Sequence, residues 1–197
     1  MRKFLLVVWL MIPVAGWAYH KGPGQRQLVL DDAARLLTEA DRLAAAEDWA
    51  AAEAKYEAAL VVLPGDKLEE AQRVRLERAK VQMMAKKLPT AHADLKALVD
   101  EMQSDSAANP RLLAEARQSL ANAQYYMTWL MRLEGKPREE WEPEIDAARQ
   151  TFRLLAEQGE TSGDKEAAQR RREDLESAVR LARMDLTDLQ GLPLPSQ

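Results

Sequence analysis

The chain has 197 residues, 47% of them apolar and 30% charged, a length and balance that suit one folded domain or a short repeat array and exclude a disordered or membrane-embedded chain. Its 28 basic and 32 acidic residues leave a net charge of −4, which argues against general nucleic-acid binding, because that draws its affinity from neutralising phosphates. Cysteine is absent, so no disulfide staples the fold, no lipid is carried on cysteine, and stability has to come from packing.

Residues 1–18 read as an address. Arg2 and Lys3 precede an unbroken apolar run from Phe4 to Val14, and small residues follow, the pattern of a secretory signal peptide. Gly16 and Ala18 supply the small side chains required three and one positions before the cut, which places cleavage between Ala18 and Tyr19. The other reading, an uncleaved anchor, meets two objections. The run is shorter than the ~20 residues of a spanning helix, and Pro13 interrupts it. Cleavage removes two basic residues and takes the net charge to about −6, leaving no stable membrane span in an exported, periplasmic or secreted protein.

Residues 19–29 hold glycine and proline without an apolar period, so a flexible lead-in is expected there. The helical domain then covers residues 30–190. Alanine, leucine, glutamate and arginine dominate it, which favours helix and offers little to a sheet. A first helix begins at residues 30–32, with Asp31 and Asp32 at the positive end of its dipole, and carries Leu36, Ala40 and Leu43 on one face. Asp48 restarts a second helix whose stripe, Trp49, Ala52, Tyr56, Ala59 and Leu63, steps by three and four until Pro64 and Gly65 end it. The same spacing returns as Leu88, Ala91, Leu95, Leu98 and Met102, 39 residues on, and as Ile145, Ala148, Phe152 and Leu155, a further 57 on. Each copy puts an alanine before its larger residue. Any amphipathic helix shows such steps, but three copies that share the alanine imply a repeat.

Partner helices are expected over residues 68–86 and 111–134, the second opened by Asn109 as cap and Pro110 at the first helical position. A last helix should run from residues 162–164 to residue 190, with Ala168, Leu175, Ala182 and Leu189 at every seventh position and Val179 and Leu186 between them. It caps the array. Residues 191–197, rich in glycine and proline, form a disordered tail.

Residues 33–66 resemble a tetratricopeptide repeat. Leu36, Ala40 and Leu43 fall on its first-helix positions, and Ala52, Tyr56 and Pro64 on the second-helix alanine, aromatic and terminal proline. Glu39 stands where a leucine belongs, and the later copies depart further, with longer periods and no terminal proline. The resemblance implies an all-α, tetratricopeptide-like α-solenoid of three helical hairpins plus a C-terminal capping helix, in which first helices line a concave face that holds a peptide or protein. On that basis Arg73, Lys80, Met83 and Met84 are candidate partner contacts. The methionines suit adaptable packing and the cations suit an acidic segment. The competing reading puts the methionines in the core and the cations in water.

Chemistry finds little support. His20 and His92 are the only histidines, so a zinc site lacks nitrogen and sulfur ligands. His92 reads as a surface residue, and no nucleophile pair or glycine-rich phosphate loop is present. Neither catalytic, metal nor cofactor residues are expected. The acidic, aromatic run of residues 138–144 reads as a helix start in which Trp141 packs beside Trp129; the alternative makes Trp129, Trp141 and Tyr125 an aromatic patch for a partner or a sugar. Arg170, Arg171 and Arg172 are expected to pair with acidic neighbours one turn away. The leading expectation is therefore a non-enzymatic adaptor or assembly factor. The alternative is a structural, self-associating protein of the cell envelope, a homo-oligomer joined through the stripe of residues 168–189.

Overall fold

A computed structural model describes residues 9, 23–162 and 165–190. The expected leader, apart from Trp9, and the tail of residues 191–197 lie outside the described residues, as do residues 19–22 of the lead-in. The described chain is all-α, with eight helices and no strand, and no helix in it is long and apolar enough to cross a membrane. The helices are α1 (Pro23–Ala45), α2 (Trp49–Val62), α3 (Leu68–Met84), α4 (Leu88–Ser104), α5 (Pro110–Leu133), α6 (Arg138–Ser162), α7 (Lys165–Arg183) and α8 (Leu186–Gln190). They pack in consecutive, hairpin-like pairs, consistent with a helical repeat fold. Two compact units divide the chain, residues 1–74 and residues 75–197.

In the first unit α1 packs on α2. Ala33, Ala40, Ala52, Tyr56 and Ala59 are buried between them, small residues that let the backbones approach, with one aromatic ring to fill the gap. The Tyr56 hydroxyl donates to Asp41 Oδ1 at 2.5 Å, and Lys55 pairs with Glu39 at 3.0 Å. Two expectations are corrected here. α1 begins at Pro23, so residues 23–29 are helical rather than a flexible lead-in, and Asp31 and Asp32 stand inside the helix, not at its positive end. Proline at the first position opens a helix as readily as a cap does.

The second unit has two cores that share α5. In one, Leu76 and Ala79 of α3 meet Leu88, Leu95, Leu98, Val99 and Met102 of α4 and Leu112, Ala116 and Ala123 of α5. In the other, Ala121 and Trp129 of α5 meet Ile145, Ala148 and Phe152 of α6, Ala178 and Leu181 of α7, and Leu189 of α8. The repeated stripes are the buried faces of their helices: Ala52, Ala91 and Ala148, the alanines common to the three copies, are each 0% exposed.

The hairpins share their turns as well. α1, α3 and α5 end at a residue with positive φ: Glu47 at 59°, Lys86 at 61° and Gly135 at 71°. In each turn the amide of the following residue reaches five residues back, from Asp48 to Leu43, Lys87 to Gln82 and Lys136 to Met131. The positive-φ residue itself bonds three back, to Ala44, Met83 and Arg132. This is the Schellman arrangement, built three times. The third stripe lags because α6 starts at Arg138, two turns before Ile145, and takes Pro143 into its body.

The final helix departs from expectation. It is broken at Met184 and Asp185, and α8 folds back so that Leu189 is buried against α5. Leu175 and Ala182 pack on the second core, whereas Leu186 is exposed. α7 and α6 cross closely at Gly159, where a Cβ would lie 3.1 Å from Ala168 Cα.

Candidate functional site

Within residues 75–197, helices α3, α5 and α7 contribute to one face. Lys80, Met83 and Met84 of α3 lie across from Ser119, Asn122 and Tyr126 of α5, and together they line a groove of about 260 Å³. Asn122 and Tyr126 also belong to a second hollow of about 180 Å³, completed by Tyr125, Phe152, Asp174 and Ser177. The two hollows are therefore neighbours, bordered in common by Asn122 and Tyr126 of α5. Helical spacing explains the α5 lining, because residues 119, 122 and 126 rise along one face at steps of three and four; residues 174 and 177 do the same on α7.

The groove is lined by one cation, Lys80, beside the two methionines, and the second hollow by one carboxylate, Asp174. Met83 packs partly on the first core, as the competing reading of the methionines expects, and it also lines the groove. Lys80 is held by Glu77 at 2.8 Å. In the second hollow Asp174 accepts a hydrogen bond from Gln118 Nε2 at 2.9 Å. Burial nevertheless pushes its carboxyl above the ordinary range, outweighing that bond. Burial likewise raises Tyr125 and Tyr126, whose rings meet edge to face with centroids 5.5 Å apart.

The other expected contacts lie elsewhere. Arg73 is exposed in the first unit and pairs with Glu69 at 3.4 Å. Trp129 is only 4% exposed; its ring is a wall of the second core, which corrects its place in a surface patch. Trp141 packs against the same core beneath the Arg132 guanidinium, 4.8 Å from the ring centroid, as a residue that seals α6 onto α5. Of the three, Tyr125 lines the second hollow, beside the groove.

His92 also departs from expectation. It is half-buried and bonds through Nε2 to Glu144 at 3.1 Å, tying α4 to α6, and is no surface residue. The arginine run divides its work: Arg170 pairs with Glu166 along the helix, Arg171 donates to the Leu155 carbonyl at 3.0 Å, and Arg172 pairs across to Glu160. Two of the three therefore pin α7 to α6.

Sequence reasoning passed over Ser119, Asn122, Asp174 and Ser177. Ser119 is buried, Asn122 and Asp174 are part-buried and Ser177 is exposed, so they share no burial signal and come together only when α5 and α7 are known to flank one hollow. No protein-family model matches this chain, and no curated protein is significantly similar to it.

Proposed function

We propose that the chain is a non-enzymatic protein-interaction module of tetratricopeptide-like hairpins, exported from the cytoplasm, that binds an extended peptide or a protein segment along the face of α3, α5 and α7. The adjacency of the two hollows carries this reading. Asn122 and Tyr126 border both of them, the lining comes mainly from alternate helices, and alternate helices are the ones that face a ligand in a helical repeat. The leader-like residues 1–18 support export. The test is affinity capture from envelope extract with the chain and an Asn122→Arg variant, each checked for unchanged helicity. Partners lost in the variant support the groove; identical capture places binding elsewhere and removes this reading.

A self-associating envelope protein is the second reading. It is favoured by the outer side of α7, where Leu175, Val179 and Met184 line a shallow depression rimmed by Glu176, Arg180 and Arg183. Leu175 also packs on the second core, so Val179→Glu is the cleaner probe. A dimer that dissociates on that change would favour this reading over the first.

A further inference from the structure

We propose that the hollow formed by Tyr125, Tyr126 and Asp174 is a seat for one basic side chain, lysine or arginine, of the peptide that lies along this face. This rests on the peptide-binding reading above and adds to it a ligand chemistry and a position.

Size comes first. At about 180 Å³ the hollow admits the end of one long side chain. Its walls suit a cation. Two tyrosine rings set at 78° to each other offer π-electron surface, which attracts ammonium and guanidinium groups, and Phe152 adds a third ring to the lining. At the same hollow stands a carboxylate whose charge the chain leaves open. Asp174 forms no ion pair among the described residues, and its hydrogen bond comes from the neutral Gln118 amide. The nearby cations act on the hollow only at a distance: Arg171 donates to the Leu155 carbonyl and reaches Asp174 through its charge alone, and the exposed Arg180 does the same to Tyr125.

Burial is the foremost cause that raises the pKa of Asp174, and it outweighs both the Gln118 hydrogen bond and the attraction of the Arg171 charge. A ligand cation would supply both the charge and the missing donors, and charge-assisted hydrogen bonds of this kind are the strong ones. The adjoining groove of Met83, Met84 and Tyr126 would then hold the neighbouring apolar residue. An acidic residue at the Asp174 end would be repelled. The groove thus has a direction, with the ligand's basic residue over α7 and its apolar residue over α3.

The test is selection from a displayed library of random ten-residue peptides against the immobilised full chain, counting as groove binders those lost on Asn122→Arg. The expected result is a lysine or arginine at one fixed position. Changing it to glutamine should weaken binding about tenfold on the chain and less than twofold on Asp174→Asn. Asp174→Lys should instead select an acidic residue at that position, a gain that misfolding cannot imitate. Groove binders without a basic preference, or a glutamine change that weakens binding to the chain and to Asp174→Asn equally, overturn the cation seat and leave the groove standing. Selected binders that all survive Asn122→Arg overturn the groove and the seat together.

Discussion

Arg132 joins the end of one helix to another. The residue is 8% exposed; its guanidinium donates to the carbonyls of Leu181 and Met184 at the C-terminal end of α7 and lies over the Trp141 ring. These carbonyls have no amide to meet in their own helix, so the side chain supplies donors where the helix runs out. Arg132→Met keeps the apolar stem and removes the donors; it should destabilise the chain by roughly 2–4 kcal/mol, because it leaves buried acceptors unpaired. Urea unfolding followed by circular dichroism measures this, and a cost below about 1 kcal/mol would mean that water replaces the guanidinium. Glu144 makes a second prediction. The His92 hydrogen bond, foremost, holds its carboxyl below the ordinary 4.5, against the opposing effect of burial. A carboxyl with a depressed folded pKa contributes stability that is present above its unfolded value and lost as pH falls through its folded value. Glu144→Gln should therefore lower the melting temperature at pH 6 and draw level with the parent on acidification below pH 4.5. A difference that is constant with pH would assign the effect to packing.

The element scale is where the repeat declares itself. The turns after α1, α3 and α5 all demand left-handed backbone, yet only the third has glycine; Glu47 and Lys86 hold φ near 60° with a Cβ attached. Left-handed backbone costs an L-residue roughly 1 kcal/mol that glycine avoids. Glu47→Gly and Lys86→Gly should each stabilise the chain by about 0.5–1 kcal/mol, and Gly135→Ala should destabilise it by about 1. Thermal melts of the three variants check the set. Opposite signs at Glu47 and Lys86 would show that glycine's freedom in the unfolded chain outweighs the relief of strain. At this scale much was legible in sequence. The stripes of α2, α4 and α6 follow from spacing alone, since a three-four period of apolar residues has one way to be buried. Starts and stops were harder. Pro23 falls in the segment expected as a lead-in although it opens α1, whereas the helix start expected over residues 138–144 is where α6 begins, and the break at Met184 and Asp185 has no glycine or proline to announce it. The repeated turn was hidden for the same reason, because at two of its three sites the expected glycine is a glutamate or a lysine.

For the whole molecule, the proposed recognition face and the proposed export signal have different origins in the sequence. The face arises from pairing across long sequence separations: Gln118 bonds Asp174, 56 residues away, and no local pattern states that neighbour. Tyr125 could be suspected as an exposed-capable aromatic, but Asp174 sits in a run of charges that reads as an ordinary solvated helix side until α5 covers it. The signal, by contrast, is written locally. A basic start, an apolar run and small residues at positions 16 and 18 form the linear pattern of the proposed export signal, and without cysteine the folded chain depends on packing and cross-helix ion pairs for stability. Ala18 is the residue on which the proposed address turns. A signal peptidase accepts only a small side chain immediately before the cut, so Ala18→Phe should leave the exported chain 18 residues longer than the parent, whose first residue should be Tyr19. Intact-mass measurement and N-terminal sequencing of protein recovered outside the cytoplasm distinguish the two forms. A parent chain that retains Met1 would make the segment an anchor, holding the groove of α3, α5 and α7 at a membrane surface.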